Sequence, residues 1–113
     1  MFKDDITRVK HMLDSANEAL SFIKNKTRKD LDQDRMLVLS IVKCIEIIGE
    51  AANSITDDLK SKSSSIPWQD IIKMRHRLIH TYFDIDYDIV WETIQDELPE
   101  LIKELKLILS KMG

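Results

Sequence analysis

The sequence predicts an all-α fold, an up-and-down bundle of four to five helices, and three observations carry that reading. Apolar residues recur at steps of three and four along most of the chain. No stretch keeps the period-two alternation of a half-buried strand. Only two Gly and two Pro punctuate 113 residues, so turns are few and elements long. With 43% hydrophobic and 33% charged residues, the composition is that of a folded domain rather than a disordered segment. The length fits one domain over residues 1–113, able to bury a core yet small enough to profit from oligomerisation.

Ile6, Val9, Met12-Leu13, Ala16, Leu20 and Ile23 mark a first amphipathic helix, with Asp4 or Asp5 placed to accept from its free N–H groups and Lys24 and Lys26 suited to its far end. A basic loop of Lys24, Lys26, Arg28 and Lys29 follows, read as a solvated connection. Asp30 or Asp32 then starts a second helix, which carries Leu37, Ile41, Val42, Cys44, Ile45, Ile48, Ala51, Ala52 and Ile55. Its wide apolar stripe makes it the central helix. Gly49 within it costs about 1 kcal/mol against Ala, which points to a close helix crossing. Lys60 to Ser65 reads as a polar linker. Pro67 suits a first helical position, and the third helix is expected from Pro67 to His80. Phe83-Asp84-Ile85-Asp86 breaks the period, and Asp86 can cap a fourth helix through Ile89, Val90, Ile94 and Leu98. Pro99 should end or kink it before a last apolar segment from Leu101 to Leu109.

A net charge of −3 and a pI near 5.6 argue against a general electrostatic grip on nucleic acid, though not against a local basic groove. Cys44 is alone, so no disulfide can form within the chain; set among Ile41, Val42, Ile45 and Ile48, it reads as a small core group. Lys3, Asp4 and Asp5 interrupt any leader-like run, and Met36 to Leu39 is far too short to cross a bilayer. A cytoplasmic location away from membranes is therefore expected.

Function should reside in Lys73-Met74-Arg75-His76-Arg77-Leu78-Ile79-His80-Thr81-Tyr82, where five of ten side chains carry cationic or imidazole nitrogen. Outside it the only histidine is His11. On a helix, His76 and His80 would share a face. Three readings compete. They could hold a metal, which would need a third ligand such as Asp84 or Asp86. They could be polar residues near a helix end. Or Arg with imidazole could work on a phosphate: arginine grips two oxygens and neutralises charge building on phosphorus, while imidazole moves protons near neutral pH. RNA brings its own nucleophile, the 2′-hydroxyl, so its cleavage needs neither metal nor covalent residue. It does need a base and an acid on opposite sides of phosphorus, and two chains pooling their segments across a two-fold axis could provide both.

Arg75, four residues, His80, one residue, Tyr82 resembles the Arg-x4-6-His-x-Tyr signature of HEPN-domain proteins, specifically the HepT-like toxins. Ile48-Gly49-Glu50-Ala51-Ala52, Ile66-Pro67-Trp68, Tyr82 to Asp86, Val90-Trp91 and Leu98-Pro99 follow the family in order, over about residues 36 to 109. His76 departs from it, standing where asparagine is frequent. The resemblance implies a metal-independent, cofactor-free endoribonuclease acting on tRNA or mRNA, the toxin of a type VII-like toxin–antitoxin pair, with a composite site at a homodimer interface. Arg75 would polarise the scissile phosphate and His80 transfer protons, with His76, Arg77, Lys73 and Tyr82 supporting or binding RNA. His76 either carries a second proton or orients the phosphate. Glu50 either pairs with Arg75 or is a surface carboxylate. The implied partner is a minimal nucleotidyltransferase antitoxin, which uses ATP to place AMP on Tyr82 and so blocks RNA by charge and bulk. The alternative is a non-catalytic subunit of a split nucleotidyltransferase that holds nucleotide or partner without cleaving.

Overall fold

Asp34 sets the start of the central helix: its carboxylate accepts from the Leu37 N–H at 3.1 Å, and Arg35–Ser54 winds from there as α3. Leu37, Val38, Ile41, Cys44, Ile45, Ile48 and Ala52 bury one side of α3. The computed structural model describes residues 3–81 and 84–112. Around α3 it packs α1 (Lys3–Phe22), α2 (Arg28–Gln33), α5 (Trp68–Ile72), α6 (Met74–Leu78) and α7 (Tyr87–Glu92), with α4 (Asp57–Lys62) following it in the chain and α8 (Leu98–Met112) closing over α1. The all-α bundle is as the periodicity predicted. The expected helices are, however, divided into eight α-helical segments among the described residues.

Each division has a local cause. The helix expected from Asp30 or Asp32 is two, because Thr27 and Asp30 cap α2 reciprocally and Asp34 caps α3 anew. The Thr27 backbone N–H, 2.6 Å away, holds the Asp30 carboxyl below its usual range. Arg28 does not lie in a solvated loop. It bridges Asp32 at 3.0 Å and Asp88 at 2.8 Å, with its guanidinium over the Tyr87 ring, and so fastens α2 to the start of α7.

The polar linker is also shorter than expected. Thr56 caps α4, which absorbs Lys60 to Lys62, and the serines beyond are anchored: the Trp68 indole donates to the Ser63 carbonyl at 3.1 Å and Ser65 to Glu104 at 2.8 Å. Asp5 does something the sequence did not disclose. Fully buried, it accepts from both the backbone N–H and hydroxyl of Thr56, at 3.1 and 2.6 Å, tying α1 to the α3–α4 corner.

The third helix departs most from expectation. Pro67 stands just before α5 rather than inside it, α5 stops at Ile72, and α6 ends at Leu78. Residues Ile79–Thr81 then form β1, paired antiparallel with β2 (Asp84–Ile85), where the periodicity had shown no strand. β-branched Ile79 and Thr81 favour extended backbone over helix, and the Asp86 N–H closes the ribbon on the Leu78 carbonyl at 2.7 Å. Nor does Pro99 end the fourth helix. The backbone continues from α7 through a π-helical turn, Thr93–Glu97, into α8. The wider turn gives room where the proline ring would crowd the carbonyl four residues earlier and supply no N–H.

Gly49 does mark a close crossing. A Cβ there would meet the Ile72 and Ile71 carbonyl oxygens of α5 at 3.4 and 3.5 Å, which is van der Waals contact. Gly49→Ala should therefore keep the fold and gain part of the helix-propensity difference, up to about 1 kcal/mol. Gly49→Leu must push α5 away and lower the melting temperature. Thermal unfolding of the two variants checks both.

Candidate functional site

The break at Lys73 and the turn into β1 give the residues of the basic segment different directions. Arg75, on α6, reaches back to α3, where its Nε lies 3.1 Å from Oε1 of Glu46. Arg75 is 47% and Glu46 27% exposed, so this pair adds little stability but fixes an orientation. A guanidinium held through Nε keeps both Nη groups for a second, bidentate partner such as a phosphate. Arg75 borders a groove of about 440 Å³ lined also by Glu46, Gly49, Glu50, Asn53 and His76. Between the two readings of Glu50, the geometry gives Arg75 to Glu46, one turn earlier on α3, and leaves Glu50 exposed on the groove's rim.

Arg77 turns the other way. Its Nη2 donates to Oε1 of Glu97 at 2.8 Å, and the second oxygen of Glu97 lies 3.2 Å from the buried Thr93 hydroxyl. The π-helical turn thus holds a carboxylate against the basic segment. Lys73 sits exposed at the junction of α5 and α6.

His80 is on β1, not on a helix, so it shares no helical face with His76, and the spacing argument for a two-histidine metal site loses its basis. The strand register moves from Ile79↔Ile85 to Thr81↔Asp84, two residues against one, so the register shift falls at His80. Its imidazole is 55% exposed, and Nε2 lies 3.8 Å from Oδ2 of Asp86. Tyr82 falls outside the described residues. Within one chain, then, Arg75 and His76 share a groove, while His80 and Arg77 each face a different carboxylate.

Cys44 is as the sequence suggested. It is 2% exposed, its Sγ is 3.6 Å from Glu18, and burial pushes the thiol up to about 11, which leaves negligible thiolate at neutral pH. Among the described residues, no helix is long and apolar enough to cross a membrane.

The described residues thus form a helical bundle with an arginine held through Nε on α6 and an imidazole on β1. Residues 12–108 match the ribonuclease HepT-like family, and the chain belongs to that family. It is 39% identical over 103 residues to a "Putative RNase" of Caldanaerobacter subterraneus subsp. tengcongensis, covering 91% of this chain and 92% of that protein. It is also 32% identical over 97 residues to a "Putative RNase" of Methanocaldococcus jannaschii, covering 86% of this chain and 89% of that protein. A "Probable ribonuclease HepT" of Thermococcus cleftensis is 34% identical over 96 residues, 81% of this chain and 87% of its own. No solved structure matches. Membership of that family, shared with relatives named as ribonucleases, supports endoribonuclease activity.

Proposed function

We propose that this chain is the metal-independent endoribonuclease toxin of a toxin–antitoxin pair, working as a homodimer whose two motif segments form one site. The observation that supports it best is the splay of the motif. One chain offers a phosphate grip at Arg75 and, in another direction, a single imidazole at His80. In-line cleavage needs two proton carriers. As the bond from O2′ to phosphorus forms, one His80 takes the 2′-hydroxyl proton. As the bond from phosphorus to O5′ breaks, the other His80 gives its proton to O5′, and the Arg75 Nη groups hold the non-bridging oxygens. The products are a 2′,3′-cyclic phosphate and a 5′-hydroxyl. His76, beside Arg75 in the groove, orients the phosphate. Lys73 and Arg77 extend the cationic surface for tRNA or mRNA, Arg77 by exchanging Glu97 for a phosphate. A nucleotidyltransferase partner restrains the enzyme by joining the Tyr82 phenol oxygen to the α-phosphorus of ATP with release of pyrophosphate, which adds negative charge where RNA must bind.

The test is incubation of purified protein with defined RNA in EDTA, with mapping of the product ends. Cleavage leaving 2′,3′-cyclic phosphates is expected, together with slowed growth on expression. No cleavage with protein in excess over RNA, and no growth effect, would leave a non-catalytic binding subunit as the better reading. For the partner, intact mass after co-expression with a neighbouring nucleotidyltransferase should show AMP-sized increments that vanish in Tyr82→Phe. Unchanged mass beside an active transferase would rule out that control.

A further inference from the structure

Asp86 is constrained more tightly than a helix cap requires. Its N–H donates to the Leu78 carbonyl at 2.7 Å, which fixes its backbone to the end of α6. Its Oδ1 accepts from the Ile89 N–H at 3.1 Å, capping α7, and this fixes the plane of the carboxylate. Oδ2 is then aimed at Nε2 of His80, 3.8 Å away, an ion-pair separation rather than a hydrogen bond. The ribbon supplies the other half of the arrangement, because its register shift between Ile79 and Thr81 falls at His80, whose Nε2 meets that oxygen. Asp88, the next carboxylate on α7, is taken by Arg28 at 2.8 Å, and Asp84 is exposed on β2.

We propose that Asp86 is the positioning residue for His80, holding the Nε2 side of the imidazole so that Nδ1 faces the RNA and exchanges the proton. This rests on the ribonuclease reading above and adds to it which nitrogen works and what holds it. A carboxylate beside Nε2 favours the tautomer protonated there, leaving the Nδ1 lone pair to accept the 2′-hydroxyl proton. Once both nitrogens are protonated, the same carboxylate steadies the imidazolium that must later donate from Nδ1. The two oxygens of Asp86 thus divide two tasks, stability through Oδ1 and orientation through Oδ2.

That division makes the tasks separable. Asp86→Asn and Asp86→Ser both keep an N-cap acceptor, so their melting temperatures should stay close to that of the native protein. Asn turns an amide donor toward Nε2 and Ser offers nothing there. Both should lose at least about tenfold in kcat with KM unchanged, part of the 10²–10⁴-fold that acid–base catalysis typically contributes. Asp86→Glu keeps a carboxylate but caps poorly, so it should melt earlier than Asn or Ser while recovering part of their lost rate. Independently of cleavage, ¹⁵N NMR of His80 should show Nε2 protonated in the native protein, with that preference lost in Asp86→Asn.

Rates that follow melting temperature across the three variants would overturn the proposal, as would Asn and Ser variants that cleave like the native protein. Unchanged His80 ¹⁵N shifts in Asp86→Asn would overturn it too, whatever the cleavage result. Failure of the native protein to cleave any RNA is a different outcome: it removes the ribonuclease reading and is visible without any variant.

Discussion

Arg75→Ala should lower the rate of RNA cleavage by about 10²–10³-fold, the usual cost of removing one group aimed at charge that develops in the transition state. It should do so while leaving the melting temperature almost unchanged. Arg75 is half exposed and its ion pair with Glu46 is of the kind that adds about 0–1 kcal/mol. Lysine should not rescue it, because an ammonium cannot hold Glu46 through one nitrogen and grip two phosphate oxygens with two others. Glu46→Gln separates orientation from charge. It keeps an acceptor for Nε but loses the ionic hold, so its rate should fall between native and Arg75→Ala. Single-turnover cleavage of a labelled RNA, beside thermal melts, measures all three. An Arg75→Ala protein that cleaves normally would remove the arginine from the chemistry.

Leu78→Ala should have the largest effect on stability of any change near the motif, about 2–5 kcal/mol, the cost of emptying a well-packed leucine site. Leu78 is fully buried at the end of α6, between Arg77 and the strand that carries His80. Its carbonyl also receives the Asp86 N–H. One side chain therefore anchors both the α6 terminus and the ribbon on which the imidazole is mounted. At about 4–8 °C per kcal/mol for a domain of this size, the melting temperature should fall by about 8 °C or more. Residual cleavage in the folded fraction should fall as well, since the geometry at His80 and Asp86 depends on that anchor. Urea unfolding with an unchanged m-value is the check that the loss lies in the native packing.

The bundle was legible because helical periodicity needs no knowledge of tertiary contacts. Ile41, Ile45, Ile48 and Ala52 share one side of a helix whatever packs on them, and Gly49 announced the crossing that α5 makes. The breaks were harder to see, because each depends on a contact that the linear pattern does not contain. Met74, Leu78 and Ile71 keep helical spacing across Lys73, so the periodicity continued where the helix did not. Thr27 and Asp34 are of capping type, as Asp30 and Asp32 are, and only the folded backbone selects among the four. Pro99 suggested a kink, and a π-helical turn absorbed it.

At the site, Arg75, His76 and His80 stood out by composition, but their carboxylate partners did not. Glu46 is half-buried and one turn from the more conspicuous Glu50, and only the fold decides which of the two meets Arg75. Asp86 was legible as a cap, and its second oxygen acquired meaning only when the ribbon brought His80 to it. Asp5, buried against Thr56, shows the same limit: it reads as an acceptor for the first N–H groups of its own helix until a corner 51 residues along the chain, about 170 Å when extended, folds onto it.

Two His80 side chains serving one phosphate is the central claim, and subunit mixing tests it most directly. Native protein at fixed concentration is equilibrated with increasing His80→Ala protein, and cleavage is followed. If both chains supply the site, heterodimers are dead. Activity should then fall to about one half at equal amounts and about one tenth at ninefold excess, following random pairing of chains in a two-fold dimer. If each chain cleaves with its own His80, activity per native chain will stay constant at every ratio, and the pooled site is wrong.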